Sequence, residues 1–163
     1  MSNEKIKYKR PIWEEYFLQI MEDVGKRGTC DRGRSGAIIV KENRILTTGY
    51  VGSPQGLPHC DEVGHLFQTV KDEKTGKVSK HCVRTIHAEE NAILQAAQFG
   101  ISLIGSTIYC KMFPCFRCAM KIVRVGIVEV IALRDYHDSS YSKEIFNIAE
   151  IKYRIIENKT EEY

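Results

Sequence analysis

The second half of this chain alternates between helical and extended hydrophobic patterns, and no other feature of the sequence limits its fold as strongly. The patterns predict helices over Ala88 to Phe99, Cys115 to Val125 and Ser142 to Glu150, and strands over Ser106 to Lys111, Ile127 to Leu133 and Ile151 to Ile156. Strands that alternate with helices run parallel through crossover connections, so this half predicts a sheet covered by helices.

The first half predicts a helix followed by a hairpin. Pro11 opens a helix whose apolar residues recur at helical spacing, namely Ile12, Tyr16, Ile20 and Val24. Two extended runs, Ser35 to Val40 and Arg44 to Tyr50, follow and are joined by a short turn. The whole chain is therefore expected to have an α/β fold with a mixed five-stranded sheet and helices on both faces.

The polar stretch from Asp61 to Lys80 is expected to be a long loop with a surface turn at Asp72 to Lys77. A loop of this length inside a compact domain is usually functional or held by a metal.

Length and charge limit the possible functions. With 163 residues, the chain is expected to form a single domain, residues 1–163. Its net charge is only +3 and its basic residues are scattered, so a nucleic-acid surface is not evident, whereas a small anionic substrate is compatible. The sequence has no apolar run near the ~20 residues of a membrane helix and no secretory signal. We therefore expect a cytoplasmic protein without a membrane partner.

The cysteines indicate a metal site. Clustered cysteines in a reducing compartment more often bind metal or catalyse than form disulfides. Cys115 and Cys118 stand at a predicted helix start after Pro114, so both sulfurs point the same way and the helix N-terminus favours thiolates. His87, at the preceding predicted helix start, supplies a third ligand. Because catalytic zinc takes three protein ligands and keeps one position for water, these residues predict a catalytic zinc site.

Glu89 stands two residues after His87 and can lie beside zinc-bound water without ligating the metal. Zinc lowers the pKa of bound water, and deamination of a cytosine ring needs a carboxylate that accepts a proton from water and delivers protons to the ring nitrogen and the leaving amine. His-x-Glu followed by Pro-Cys-x-x-Cys is typical of zinc nucleobase deaminases. The alternative is a purely structural zinc site, with Glu89 interacting only with the helix dipole.

Around these motifs the sequence resembles the cytidine and deoxycytidylate deaminase family, and most of all its dCMP deaminase branch. The resemblance runs from Trp13 through about Ile156, and its most specific segment is His81 to Glu89, His-Cys-Val-Arg-Thr-Ile-His-Ala-Glu. It implies a three-layer α/β/α sandwich, hydrolysis of dCMP to dUMP with release of ammonia, and a homo-oligomer, often a hexamer. Some members are regulated by dCTP and dTTP, and Mg²⁺ would accompany such an effector nucleotide.

The resemblance also implies a second, structural zinc. Related deaminases draw such a site from the remaining soft ligands, here Cys30, Cys60, His65 and Cys82, with His81 as a substitute for one of them. The alternative is that the cysteines are ordinary buried thiols and the histidines lie on the surface. Cys110, in an apolar strand, is expected in the core.

Four further residues are candidates for substrate binding. The family uses the position of Asn91 near the substrate, although first-turn helix capping is the alternative. Arg32 and Arg84 suit recognition of a phosphate, or they are solvated. Tyr136 follows a predicted strand end, where open α/β sheets bind ligands, so it either covers the substrate or packs as a loop aromatic.

The chain departs from the dCMP deaminase branch at positions that bear on the substrate. Val51 replaces an asparagine that helps to hold the nucleotide, and a valine side chain cannot hydrogen-bond a sugar or phosphate. The substrate alternatives are dCTP, cytidine or deoxycytidine, and guanine. A nucleic-acid base deaminase would need a basic surface that this sequence lacks, and a zinc-stabilised binding module would have no use for Glu89.

Overall fold

The computed structural model describes residues 8–71, 76 and 78–161. Its elements in chain order are α1 (Trp13–Gly25), β1 (Gly36–Lys41), β2 (Arg44–Tyr50), α2 (Cys60–Val63), β3 (Phe67–Lys71), β4 (Val78–Cys82), α3 (Ala88–Phe99), β5 (Thr107–Met112), α4 (Phe116–Arg124), β6 (Glu129–Tyr136), α5 (Ser140–Ile148), β7 (Lys152–Ile155) and β8 (Thr160–Glu161).

The main sheet is mixed, as the sequence predicted. Its strand order is β2-β1-β5-β6-β7, and β8 pairs with the end of β6. The β1–β2 hairpin and the β1–β5 pair are antiparallel, whereas β5, β6 and β7 are parallel. The parallel strands are the ones separated by α4 and α5, since a parallel connection has to cross from one end of the sheet to the other.

Alternating side chains on the strands build a core on each face of the sheet. On one face, Ala37, Ile108 and Val130 pack with buried residues of α3, α4 and α5. On the other face, Ile38 and Tyr109 pack with α1. The three-layer α/β/α sandwich is therefore confirmed, with one helix on one side and three helices of the described chain on the other.

The buried face of α1 is not centred on the apolar residues whose spacing predicted the helix. Phe17 and Met21 are fully buried against the sheet, whereas Ile12 and Tyr16 are exposed and the other two residues of the predicted stripe are half-buried. Both sets have helical spacing, so periodicity cannot decide which set faces inward. The contact with Tyr109, whose ring centre lies 5.3 Å from that of Phe17, fixes the rotation of the helix.

The prediction of a loop over Asp61 to Lys80 is wrong. This stretch contains most of α2 and the antiparallel hairpin of β3 and β4, which is separate from the main sheet. Its strand residues are mostly exposed, so they lack the alternation of apolar and polar residues that marks a half-buried strand. The expected turn at Asp72 to Lys77 lies, apart from Gly76, outside the described residues.

Gly49 lets β2 approach the N-terminal end of α3 closely. A Cβ atom at this position would collide with the carbonyl oxygen of Ala88 and the backbone nitrogen of Ala92. The absence of a side chain therefore seats the first turn of α3, which follows His87, directly on the sheet.

Candidate active site

Two helix starts bring the three predicted zinc ligands together. His87 is the N-cap residue of α3 and Cys115 is the N-cap residue of α4, while Cys118 lies in the first turn of α4. The nitrogen and sulfur atoms that these side chains offer all lie within 4.8 Å of one another. His87 Nδ1 is 3.5 Å from Cys115 Sγ and 3.6 Å from Cys118 Sγ.

The protonation behaviour of this three-ligand cluster suits a soft divalent cation. Hydrogen bonding with Cys118 and His87 lowers the pKa of Cys115 to about 3, whereas contact with Cys115 raises the pKa of His87 to about 9. The pKa of Cys118 lies well above its usual value because the thiol is hydrogen-bonded to Cys115 and is buried. A thiolate is thus already favoured at one ligand, and two sulfurs with one imidazole form a zinc donor set with an open fourth position.

Glu89 lies beside this cluster without belonging to it. Its side chain is buried, and burial raises its pKa to about 7. A carboxyl group with a pKa near neutrality can both accept and return a proton at physiological pH, as a general acid and base must. The structure thus brings Glu89 and the three predicted ligands together in one place.

A cavity of about 140 Å³ opens over these residues. Glu89, His87 and Cys115 line it at one end of the parallel strands. Five other segments also line it: Arg32, Gly33, Ser35 and Gly36 around the start of β1, Val51 after β2, Ser79 to Cys82 of β4, Lys111 to Phe113 at the end of β5, and Tyr136 and His137 at the end of β6. Ligands of open α/β sheets bind outside strand ends in this way.

The predicted substrate residues divide into two pairs. Arg32 and Tyr136 line the cavity, and partial burial raises the pKa of Tyr136 to about 12. Asn91 and Arg84 are not among its lining residues. Asn91 Nδ2 donates to the carbonyl oxygen of Tyr50 at 2.9 Å, and Arg84 Nε donates to that of Gly64 at 3.0 Å.

A second cluster lies next to the cavity. Cys30, Cys60, His65 and Cys82 each offer an atom, and these atoms all lie within 4.8 Å of one another. Cys30 Sγ is 3.8 Å from His65 Nδ1, and Cys60 Sγ is 3.6 Å from Cys82 Sγ. This four-ligand cluster joins the segment after α1, the start of α2 and the end of β4. His81 does not belong to this cluster, and its Nε2 lies 2.9 Å from Ser79 Oγ.

The environment of His65 matches that of a metal-binding histidine. Its Nε2 lies 3.0 Å from Asp31 Oδ1, so the carboxylate accepts the Nε2 proton and leaves Nδ1 to face the sulfur of Cys30. Carboxylate–histidine pairs of this kind orient metal ligands and set their tautomer. All six cysteines of the chain lie among the described residues and are free thiols, so none of the six is used in a disulfide.

Two residues at the cavity were not singled out as substrate contacts from the sequence. His81 was considered only as a substitute metal ligand, and Lys111 was not assigned a role, yet both line the cavity. Lys111 Nζ donates to the carbonyl oxygen of Gly33 at 2.6 Å. Alternation along β4 could have separated His81 from Cys82, since neighbouring residues on a strand face opposite ways, but the strand itself was missed.

A buried carboxylate beside three metal-ligating side chains, placed at the strand ends of an α/β/α sandwich, is the arrangement of a metal-dependent catalytic site. The model of the cytidine and deoxycytidylate deaminase zinc-binding region matches residues 11–134, most of the chain. The chain belongs to the cytidine and deoxycytidylate deaminase family.

Individual relatives agree with this membership. ComE operon protein 2 of Bacillus subtilis is 36% identical over 148 residues, which cover 91% of this chain and 73% of that protein. Deoxycytidylate deaminase of Schizosaccharomyces pombe is 34% identical over 147 residues, which cover 89% of this chain and 44% of that protein. This chain therefore matches less than half of the length of the yeast relative.

The fold is similar to that of the dCMP deaminase from cyanophage S-TIM5, solved in complex with dCMP and dUMP. The TM-score is 0.69 at 23% identity, and the match covers 91% of this chain and 99% of that one. The likeness at this identity concerns the fold. Among the helices that the structure describes, none combines the length and apolarity needed to span a membrane.

Proposed function

We propose that this chain is a zinc-dependent hydrolase that deaminates dCMP to dUMP with release of ammonia, and so supplies dUMP for pyrimidine nucleotide synthesis. The observation that carries the proposal is the burial of Glu89 beside the three-ligand cluster at the end of the cavity. The deoxycytidylate deaminase named among the relatives and the cyanophage enzyme with its bound nucleotides support the choice of substrate.

Different residues of the chain would bind the metal and transfer protons. His87, Cys115 and Cys118 would hold the zinc, which when bound supplies Lewis-acid activation of water. Glu89 accepts a proton from water and passes protons to the ring nitrogen and to the departing amine. Its burial helps in two ways, because the raised pKa eases return of the proton and the exclusion of solvent strengthens its electrostatic interactions.

The identity of Val51 leaves an alternative substrate possible. Its backbone is used within the fold, since its N–H donates to Ser35 O and its carbonyl accepts from Thr29 N, both at 3.0 Å. Val51 lines the cavity and has no side-chain hydrogen-bonding group where the resemblance implies an amide. A zinc deaminase of dCTP, deoxycytidine, cytidine or guanine is therefore the alternative function.

Ammonia release tests the proposal. Purified, zinc-loaded protein is incubated separately with dCMP, dCTP, deoxycytidine, cytidine and guanine, with Glu89→Ala as the control. Fastest turnover of dCMP, lost in the variant, supports the proposal. Turnover of another compound while dCMP stays inert moves the function to the alternative substrate, and activity that survives in Glu89→Ala rejects the assigned role of Glu89.

The four-ligand cluster is proposed to hold a second, structural zinc. Three sulfurs and one imidazole close a tetrahedral site, and the carboxylate of Asp31 orients the imidazole of His65. Of its thiols, Cys82 has its pKa lowered to about 7: partial burial opposes the shift, and hydrogen bonds from the backbone and His65 outweigh it. This zinc would fasten the β3–β4 hairpin to the rest of the chain.

The remaining features are also proposals. The chain is taken as a single deaminase domain that acts on a small nucleotide, assembles as a homo-oligomer such as a hexamer, and resides in the cytoplasm, where its six free thiols would be stable. Control by dCTP or dTTP with Mg²⁺ follows from the resemblance alone. Size-exclusion chromatography with light scattering tests the assembly.

A further inference from the structure

One wall of the cavity comes from a hairpin that stands apart from the main sheet. β3 and β4 pair only with each other among the described strands, and Ser79 to Cys82 of β4 line the cavity that contains Glu89. Cys82 ties the hairpin to the four-ligand cluster, and an Arg32 guanidinium nitrogen donates to the carbonyl oxygen of Lys80 at 3.0 Å. The Arg32 guanidinium also lies 5.2 Å from the ring centre of Phe67. The wall is therefore held from both of its strands.

On this wall, the imidazole of His81 is oriented by Ser79 so that it can donate a hydrogen bond to a ligand in the cavity. Ser79 and His81 share one face of β4, and Ser79 Oγ lies 2.9 Å from His81 Nε2. When the hydroxyl donates to Nε2, a neutral imidazole carries its own N–H at Nδ1. Because His81 is exposed and lines the cavity, a ligand there can accept from it.

His137 contributes a second imidazole whose hydrogen bonding is incomplete. Its Nδ1 is buried and has no hydrogen-bond partner among the described residues. Leaving a buried polar atom unpaired costs the desolvation of that atom without a compensating hydrogen bond, so native proteins keep few of them. Since His137 lines the same cavity, a ligand group placed there would pair with this nitrogen.

The charge on this side of the cavity favours an anion. Arg32 interacts electrostatically with both His81 and Tyr136, and Lys111 also lines the cavity. The carboxylate of Asp138, which interacts with His81 and Tyr136, opposes the two cations. Cys115 and Glu89 add negative charge at the end of the cavity with the three-ligand cluster, where a bound zinc would offset it. On this side of the cavity, the guanidinium of Arg32 and the ammonium group of Lys111 face the single carboxylate of Asp138, an arrangement that favours an anion.

We propose that His81 and His137, together with Arg32, bind the 5′-phosphate of the substrate, and that they make the enzyme prefer a nucleotide to a nucleoside. The inference rests on the proposed function, because it takes the end of the cavity at Glu89 as the reacting end. A phosphate offers several acceptor oxygens, which match two imidazole N–H groups and a guanidinium. The phosphate is unchanged in the reaction, so these residues act through binding.

The test compares dCMP with deoxycytidine in steady-state kinetics. His81→Ala and His137→Ala should each lower kcat/KM for dCMP about ten- to hundredfold, mainly through KM, and change that for deoxycytidine by less than about threefold. His81→Gln, which keeps a side-chain N–H donor, should recover part of the loss. Gln68→Ala is the matched control, because Gln68 is the exposed cross-strand partner of His81 and does not line the cavity, so neither substrate should be affected.

Equal losses for both substrates, or a loss confined to kcat, would overturn the inference and leave the histidines a structural role. A wild-type protein that deaminates neither compound contradicts the proposed function instead. The subsite is then tested separately by titrating zinc-loaded protein with inorganic phosphate and following the ¹⁵N resonances of the imidazoles. Shifts of both histidines support the subsite, and unchanged resonances reject it.

Discussion

Lys121 Nζ lies 2.6 Å from Glu90 Oε1, and this ion pair joins α3 to α4, the two helices whose N-termini carry the three-ligand cluster. The preceding residue, Glu89, is instead 7% exposed and lines the cavity. Successive side chains of an α-helix point about 100° apart, which separates these two adjacent glutamates. Glu90 connects the helices, while Glu89 faces the reacting end of the cavity.

Glu89→Gln should lower kcat about 10²–10⁴-fold, the usual contribution of a general acid–base group. The amide keeps the size of the side chain but cannot accept and return a proton, so zinc content should stay at the wild-type level. Glu90→Gln is the matched control and should keep kcat within about twofold, because a partly exposed ion pair contributes at most about 1 kcal/mol. Comparable losses in the two variants would show that helix packing, rather than proton transfer, explains the effect.

Cys118→Ala should remove one zinc per chain and abolish activity, because it takes one of three ligands from the candidate catalytic site. Metal analysis by atomic spectroscopy alongside ammonia release measures both effects. Cys110→Ala is the control: Cys110 is buried in the sheet, as predicted, and lies outside both clusters. Unchanged zinc content in Cys118→Ala would contradict the assignment of Cys118 as a ligand.

Cys60→Ser should remove the second zinc and loosen the β3–β4 hairpin, because Cys82 at the end of β4 belongs to the same four-ligand cluster and only attachments such as those of Arg32 to Lys80 and Phe67 would remain. Hydrogen–deuterium exchange should rise in β3 and β4 and stay unchanged in β5 and β6, which are held by the main sheet. Protection of the hairpin equal to the wild type, with one zinc lost, would show that the metal does not hold it.

Asp135 should stabilise the protein at neutral pH and lose this effect in acid. Although partial burial raises its pKa, hydrogen bonds from Lys143, Ser139 and the backbone of Tyr136 outweigh burial and hold the pKa below its usual value. A carboxyl group with a depressed folded-state pKa stabilises above its unfolded pKa, and the effect disappears as pH falls through the folded value.

Asp135→Asn should therefore cost about 1 kcal/mol of unfolding free energy at pH 7. Urea unfolding at pH 7, 5 and 3 measures the difference between variant and wild type, which should begin to shrink as pH falls below about 4, where an unfolded aspartate takes up its proton. A difference that is the same at pH 7 and pH 3 would mean that packing, and not the charge, accounts for the loss.

The fold and the three-ligand cluster were predictable because their signals are local. Helix α3 occupies the predicted residues, and the β1–β2 hairpin and the three parallel strands differ from the predictions only at their ends. Which face of α1 is buried, and the presence of the β3–β4 hairpin, were not predictable from the sequence. Two apolar stripes compete on α1, and the hairpin strands are exposed, so in both cases packing supplied information that periodicity lacks.

By itself, the sequence determined that Cys115 and Cys118 stand one helical turn apart and that His87 and Glu89 stand at a helix start, because these relations depend only on backbone geometry over a few residues. Tertiary structure decided which distant residues meet. Cys30 and Cys82 share a cluster, and His81 and His137 share a cavity, although long stretches of chain separate the members of each pair. Such meetings depend on how the strands and helices pack, and local spacing carries no information about them.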